Sequence, residues 1–363
     1  MTGALELSAI PCMTDNGNTT LNTRNLNSNG AQYQVVFQMP KSGNISEIGF
    51  VVDAIVGTPG QLLVQLNTVN NTGAGTNSTL ASGSINNAST LTTNAVNWIA
   101  LSSSYAVNRG DFIGCNVRAS TTVGTWDASN RITLRHCYNV DSPSGAFRYE
   151  FPYGTSGSSK LSGNGFICFK YSDGSIYGFT ALDRELLAPA GSGTAYGNIF
   201  SIPNSVGSLK VIGMAILTNN PAAIDATTLT YRLHTRSGST ATTVETQSFT
   251  TSRNFGMQNG TNFRRVIYFD NEETVNGGTD IIASFETSVT TNNIWKYDFD
   301  STANREAMTP WMKVKGCTIN TGSNAITEQE VIYFISLLVK DITAPSGGGS
   351  GMPSVFGGGF ANA

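Results

Sequence analysis

Charge is scarce in this sequence. Only 12% of its 363 residues are Asp, Glu, Lys or Arg, and the net charge is −3. Nucleic-acid binders concentrate Lys and Arg to displace counterions, so no nucleic-acid partner is expected. An acidic solvating chain is excluded too, because 39% of the residues are hydrophobic. Histidine is scarcer still: His136 and His234 are the only two, and any imidazole chemistry must draw on them. The five cysteines, Cys12, Cys115, Cys137, Cys168 and Cys317, are an odd number without paired spacing. Buried free thiols made in a reducing cytoplasm are expected rather than a disulfide framework. Long apolar runs are missing. The longest, VIYFISLLV at 331–339, falls short of the ~20 residues that cross a bilayer as a helix. It reads as a strand buried on both faces, and no membrane insertion is expected. MTGALELSAI at the start has no basic segment leading into a long apolar one, so no secretory signal is expected. Helical periodicity is nearly absent. ALDRELLAP (181–189) is the best candidate, allowing about two turns before Pro189 stops it.

What the chain does have is 39 glycines, with many Ser, Thr and Asn, punctuating short runs of β-branched and aromatic residues. That mixture describes many short strands joined by polar turns. It also has a repeat. FQMPKSGNISEIGF (37–50) returns as FSIPNSVGSLKVIGM (200–214), with Tyr33, Phe37, Pro40 and Ser42 falling on Tyr196, Phe200, Pro203 and Ser205 at a constant offset of 163. LLVQLNTV (62–69) pairs with LTYRLHTR (229–236), both apolar at every second residue, which predicts half-buried strands with Gln65, Arg232 and His234 facing outward. NWIAL (97–101) lies over RVIYF (265–269), and VNRGDFIGCNVRAS (107–120) over VNGGTDIIASFETS (275–288) without a gap. Four runs in order, with little drift in offset, indicate a duplicated module, and the chain is long enough for two cores. The expected fold is all-β: two tandem antiparallel β-sandwich, jelly-roll-like domains plus a Gly-rich C-terminal tail. The first module is set at 1–187, a linker at 188–195 (APAGSGTA), the second module at 196–341 and the tail at 342–363.

Each copy thus has the form aromatic-x-x-Pro-x-Ser, Gly-x-Ile/Leu-x-x-Ile-Gly, an alternating strand, and Val-Asn-x-Gly. This resembles the tandem jelly-roll modules of virion proteins of tailed bacteriophages, of tail-fibre, tail-tip or head-decoration type. Similar sandwiches occur in bacterial surface and carbohydrate-binding proteins. The resemblance covers roughly residues 31–122 and 194–292, and its motifs specify a sandwich rather than a ligand. It implies a non-enzymatic structural or adhesive particle protein, homo-oligomeric and in contact with other virion proteins. It implies no cofactor, synthesis in the host cytoplasm and a final location in the virion.

Candidate chemistry is sparse. His136 and Cys137 are neighbours on a strand and point to opposite faces, which argues against a shared metal ion. FDNEE (269–273) and YDFD (297–300) are the most acidic segments, but neither forms an Asp-x-Asp-x-Asp-Gly calcium loop. No nucleophile elbow occurs, and a Ser-His-Asp set would have to use His136 or His234. Asp183 with Glu185, or Asp298 with Asp300, could supply paired carboxylates for a polysaccharide-active enzyme, though nothing in their spacing requires it. Trp126 and Trp295 occupy related positions beside Asp127, Asn130 and Asp298. They could stack on a host-surface glycan, which makes a receptor-recognition protein the alternative function. A duplicated core tryptophan explains the same pattern. In the tail, Met352, Val355, Phe356 and Phe360 are apolar residues on a glycine-rich string and are candidates for docking on a partner.

Overall fold

A computed structural model describes residues 5–7, 22–39, 41–69, 75–138, 153–156, 159–160, 163–178, 183–204, 206–219, 229–249, 256–259, 262–288, 293–298, 307–308 and 313–343. Among these residues there are antiparallel strands, a single 3-10 turn at Ala88–Thr90, and no α-helix. The all-β sandwich architecture expected from the sequence is what the chain adopts.

The strands of the first repeat are β1 (Asn22–Leu26), β2 (Gln32–Gln38), β3 (Gly43–Val56), β4 (Leu62–Val69), β5 (Gly75–Ile85), β6 (Val96–Val107), β7 (Phe112–Ala119), β8 (Arg131–Tyr138), β9 (Tyr153–Ser156), β10 (Ser159–Lys160), β11 (Gly163–Gly165) and β12 (Ile167–Tyr171). Those of the second are β13 (Asp183–Leu187), β14 (Thr194–Ser201), β15 (Ser208–Asn219), β16 (Leu229–Ser237), β17 (Thr240–Phe249), β18 (Asn262–Asn276), β19 (Asp280–Thr287), β20 (Asn293–Asp298), β21 (Lys313–Asn320), β22 (Ile326–Glu328), β23 (Val331–Tyr333) and β24 (Ile335–Lys340).

These strands pair in the same way in the two sets, while Gly256–Asn259, which hairpins onto β18, has no counterpart among the described residues of the first. In the first, one sheet runs β10-β9-β2-β7-β4-β5, while β3 bonds to β6, β8 and β12. In the second, the order is β22-β21-β14-β19-β16-β17, while β15 bonds to β18, β20 and β24. Strands β1 and β11 both join β8, just as β13 and β23 join β20. Small details recur as well. In the Val-Asn-x-Gly turns, Gly110 (φ 91°) and Gly278 (φ 82°) adopt the left-handed conformation that glycine tolerates best. Their amides donate to equivalent carbonyls, Met39 at 2.9 Å and Ile202 at 2.8 Å.

This correspondence moves the expected boundaries. Residues 183–187, assigned from sequence to the first module and to a short helix, form β13, the opening strand of the second repeat. Arg184, Glu185, Leu186 and Leu187 are good helix formers, but so short a segment cannot hold a helix by propensity alone, and a full antiparallel register with Ile294–Asp298 outweighs it. The segment 188–195 lies inside the second repeat, between its first two strands. Residues 331–339 are two strands rather than one. At Phe334 the chain leaves β20 and joins β15, and Phe166 makes the same switch from β8 to β3. The hydrogen bonds match: Phe166 N–H donates to Arg135 O and Phe334 N–H to Trp295 O, while Val51 N–H donates to Phe166 O and Leu217 N–H to Phe334 O.

Each repeat buries its own core, but the cores are joined. Val51 and Phe166 of the first repeat pack into the core of the second. Phe166 and Phe334 both contact Tyr297, with ring centroids 5.9 and 5.0 Å away, so the repeats meet through equivalent positions. Ile176–Gly178, which hairpins onto β12, also bridges to Ala307–Met308 beside β21.

Candidate functional site

The second repeat has a second, smaller interior. The start of β17 bonds to the start of β22, through Ala241 N–H to Asn324 O (2.9 Å) and Ile326 N–H to Ser239 O (2.8 Å), closing the sheet into a ring. Inside are Ala195, Ile199, Ala241, Ile282, Cys317, Ile319 and Ile326. His234, expected outside, is 2% exposed. Its strand is covered on both faces, so alternation does not deliver it to solvent. His234 Nε2 lies 2.8 Å from Ser284 Oγ and Nδ1 lies 3.0 Å from Thr243 Oγ1. Burial, with the nearby positive charge of Arg232, pulls its pKa down to about 4, so the ring is neutral at pH 7. Ser284 is fully buried and the third member is a threonine, so this is a sealed hydroxyl–imidazole chain, without the acid or access a serine nucleophile needs.

At the rim of this ring, Arg236 pairs with Glu328 (2.6 Å) and Asp280 (3.4 Å), Lys315 also pairs with Glu328, and Ser201 Oγ donates to Asp280 at 2.7 Å. Hydrogen bonds from Lys315 and Arg236 hold the Glu328 carboxyl below its ordinary range. Between β16 and β19, Arg232 pairs with Glu286 at 2.6 Å.

The third cluster contains two residues singled out from sequence. The register of β13 against β20 sets Glu185 opposite Lys296 and Asp183 opposite Asp298. Lys296, 9% exposed, bonds to Glu185 and lies 2.7 Å from Asp298 Oδ1. Burial pushes the Asp298 carboxyl up, whereas the Lys296 hydrogen bond holds the more exposed Glu185 down. Burial disfavours the Lys296 ammonium, but its two carboxylates more than compensate and raise it. Glu185 and Asp298, which the sequence placed in different carboxylate pairs, come together instead, with a lysine between them. That occupies the place a glycosidic oxygen and a water would need.

The tryptophans do not supply a sugar platform. Trp126 is 4% exposed and Trp295 is 1% exposed, each packed into the core of its repeat, so neither ring offers a face to a ligand. Asp127 caps a tight turn, accepting from the amides of Ser129 (2.7 Å) and Asn130 (2.8 Å), and these backbone bonds lower its pKa. Asn130 Oδ1 in turn accepts from Thr58 N–H at 3.0 Å. Gln65, expected outside, is 9% exposed and bonds to Thr79 and Asn116.

Cys115, Cys168 and Cys317 are buried free thiols. Burial pushes Cys317 up to about 12 and Cys115 higher still, which leaves both unreactive. Among the described residues, no group of three His, Cys, Asp or Glu side chains is arranged to hold a metal, and no helix is long and apolar enough to cross a membrane. His136 lies on β8, opposite Asn22 and Gly165. Asp300, Met352, Val355, Phe356 and Phe360 lie outside the described residues.

No family model, curated protein or solved structure matches this chain.

Residues that sequence reading passed over include Asn198 and the amides Gln32, Gln34, Asn67 and Asn116. Asn198 is fully buried, donates to Tyr333 O (2.7 Å) and Ile335 O (3.0 Å), and accepts from Tyr333 N–H (3.0 Å). It thereby ties the two layers of the second repeat across the Phe334 switch. The available signal was a polar residue at a core position: the equivalent residue in the first repeat is Val35.

Proposed function

We propose that this chain is a non-enzymatic structural or adhesive component of a bacteriophage particle, in the tail or the head. It assembles with copies of itself and with other virion proteins through its sandwich faces and its C-terminal tail. The observation that supports this reading most is the twelve-strand repeat, entered twice and joined through equivalent positions into adjoining cores. Such a body is a rigid spacer with extensive sheet surface. The polar clusters are consistent with this reading, because their charged groups pair with one another. The glycan-receptor alternative is less favoured because Trp126 and Trp295 are buried, and the polysaccharide-active alternative because Glu185 and Asp298 are engaged by Lys296.

Light scattering on the eluting full-length chain, beside a form ending at Lys340, tests the assembly. A defined oligomer that weakens on removing the tail is expected; two monomers at micromolar concentration would remove this part of the reading. Antibodies against the chain are expected to decorate purified phage particles by immunogold microscopy. Label confined to the lysate, with bare particles, would remove the other part.

A further inference from the structure

The outer face of the β2-β7-β4-β5 sheet in the first repeat carries a group of amides where its counterpart in the second repeat combines an apolar cluster with the mutually bonded His234, Ser284 and Thr243. Ala195, Ile199 and Ile282 line the second repeat's small interior, and the residues in their places in the first repeat are Gln32, Val36 and Gly114. Among these lie Gln34, Gln65, Asn67 and Asn116, exposed by 2%, 9%, 0% and 0%. The side chains form two rows. Asn67 Nδ2 donates to Gln34 Oε1 at 2.8 Å, a reach across β7 that passes over Gly114, where a Cβ would stand 2.5 Å from the Gln34 amide. In the other row, Asn116 Nδ2 donates to Gln32 Oε1 (2.9 Å) and Gln65 Oε1 (3.3 Å), and Gln65 Nε2 donates to Thr79 Oγ1 (3.2 Å).

These bonds leave capacity unused. Gln34 Nε2, Asn67 Oδ1 and Asn116 Oδ1 have no protein partner, and neither does Arg118 Nε on the same face of β7. Bare amide atoms in a low-dielectric interior are costly and rare in folded proteins. Turning the amides end for end gives no relief: reversing Gln34 and Asn67 together restores their mutual bond and again strands one nitrogen and one oxygen. The patch has unmet needs of both kinds, two acceptor oxygens and a donor nitrogen, at atoms that bulk solvent does not reach. Water has two donors and two acceptors and resides in buried polar sites of this composition. We propose that the first repeat encloses resident water among Gln34, Asn67 and Asn116, whereas His234, Ser284 and Thr243 at the equivalent face of the second repeat satisfy one another. The inference does not depend on the particle role proposed above.

Water-selective cross-relaxation NMR on the full-length chain tests it directly. The side-chain NH2 groups of Gln34, Asn67 and Asn116 are expected to show cross-peaks with long-lived water, and oxygen-17 relaxation dispersion is expected to count at least one such water. The double substitution Gln34→Leu with Asn67→Leu is expected to remove this signal, while Ser284→Ala in the second repeat leaves it unchanged. A high-resolution crystal structure of the unmodified protein reads the same site without any variant. Three results would overturn the proposal: an absence of both long-lived water and density, density of a polyol or sugar hydroxyl in the site, or amides satisfied by protein groups alone.

Discussion

His234 makes the stability of the second repeat depend on pH. In the fold it is buried between Ser284 and Thr243, beside Arg232, and its pKa falls from 6.5 to about 4. An unfolded chain takes up the proton near pH 6.5, whereas the folded chain refuses it until about pH 4. The stabilisation is therefore complete above pH 6.5 and is lost as pH falls toward 4. At about 1.4 kcal/mol per pKa unit, the loss is roughly 2 kcal/mol at pH 5 and about 3 kcal/mol at pH 4. Carboxylates titrate in the same range, so the measurement has to be a difference. The first repeat indicates the substitution: Asn67 stands where His234 does, and an amide does not ionise. Urea unfolding of the native chain and of His234→Asn, run from pH 7.5 to 4, is expected to show the native chain losing about 3 kcal/mol relative to the variant. Parallel stability curves across that range would refute the reasoning.

Other substitutions probe other links. Asn198→Val, which copies Val35 of the first repeat, leaves three backbone groups at the Phe334 switch without partners and is expected to cost about 3–5 kcal/mol in chemical unfolding. A loss under 1 kcal/mol would mean that the layers are held elsewhere. Phe166→Ala empties a site shared by both cores and is expected to cost about 3–5 kcal/mol. It should also split one calorimetric transition into two, and a single transition with unchanged width would count against coupled repeats. Lys296→Met removes the counter-ion of Glu185 and Asp298, and is expected to destabilise by roughly 2–3 kcal/mol at neutral pH. In that variant the crowded carboxyl groups hold protons more tightly folded than unfolded, so the deficit should shrink toward pH 4. A deficit that grows on acidification would disprove the assignment.

The sandwich and its duplication were legible because the segments that carry them keep the alternation of two and the glycine turns, as in LLVQL beside LTYRL and VNRG beside VNGG. The later strands of each repeat were not. β8 to β12 and β20 to β24 share topology but little sequence, since a strand bonding through its backbone tolerates almost any side chain that suits its two faces. β13 was misread for a related reason: its partner β20 lies more than 100 residues away, and no local window contains that register. The burial of His234 and Gln65 depended on a second layer over the sheet, which alternation within one strand cannot reveal. The tryptophans look like a duplicated pair in the sequence but are not one in the fold: Trp295 stands where Arg135 does, each carbonyl accepting the matching bond from Phe334 or Phe166, while Trp126 precedes β8; that both rings belong to the core depends on the opposing sheet. The sequence suggested Asp183 with Glu185 and Asp298 with Asp300 as carboxylate pairs; that Glu185 meets Asp298, with a lysine between them, follows only from register.

The short strand at residues 5–7 lies against 337–339 on β24, so the earliest and latest described strands are neighbours on one edge. Residues 5–7 therefore complete a sheet of the second repeat rather than of the first. A segment from before the first repeat thus serves as a seam along the last described strand, and pulling it away would bare the backbone of β24 on that side.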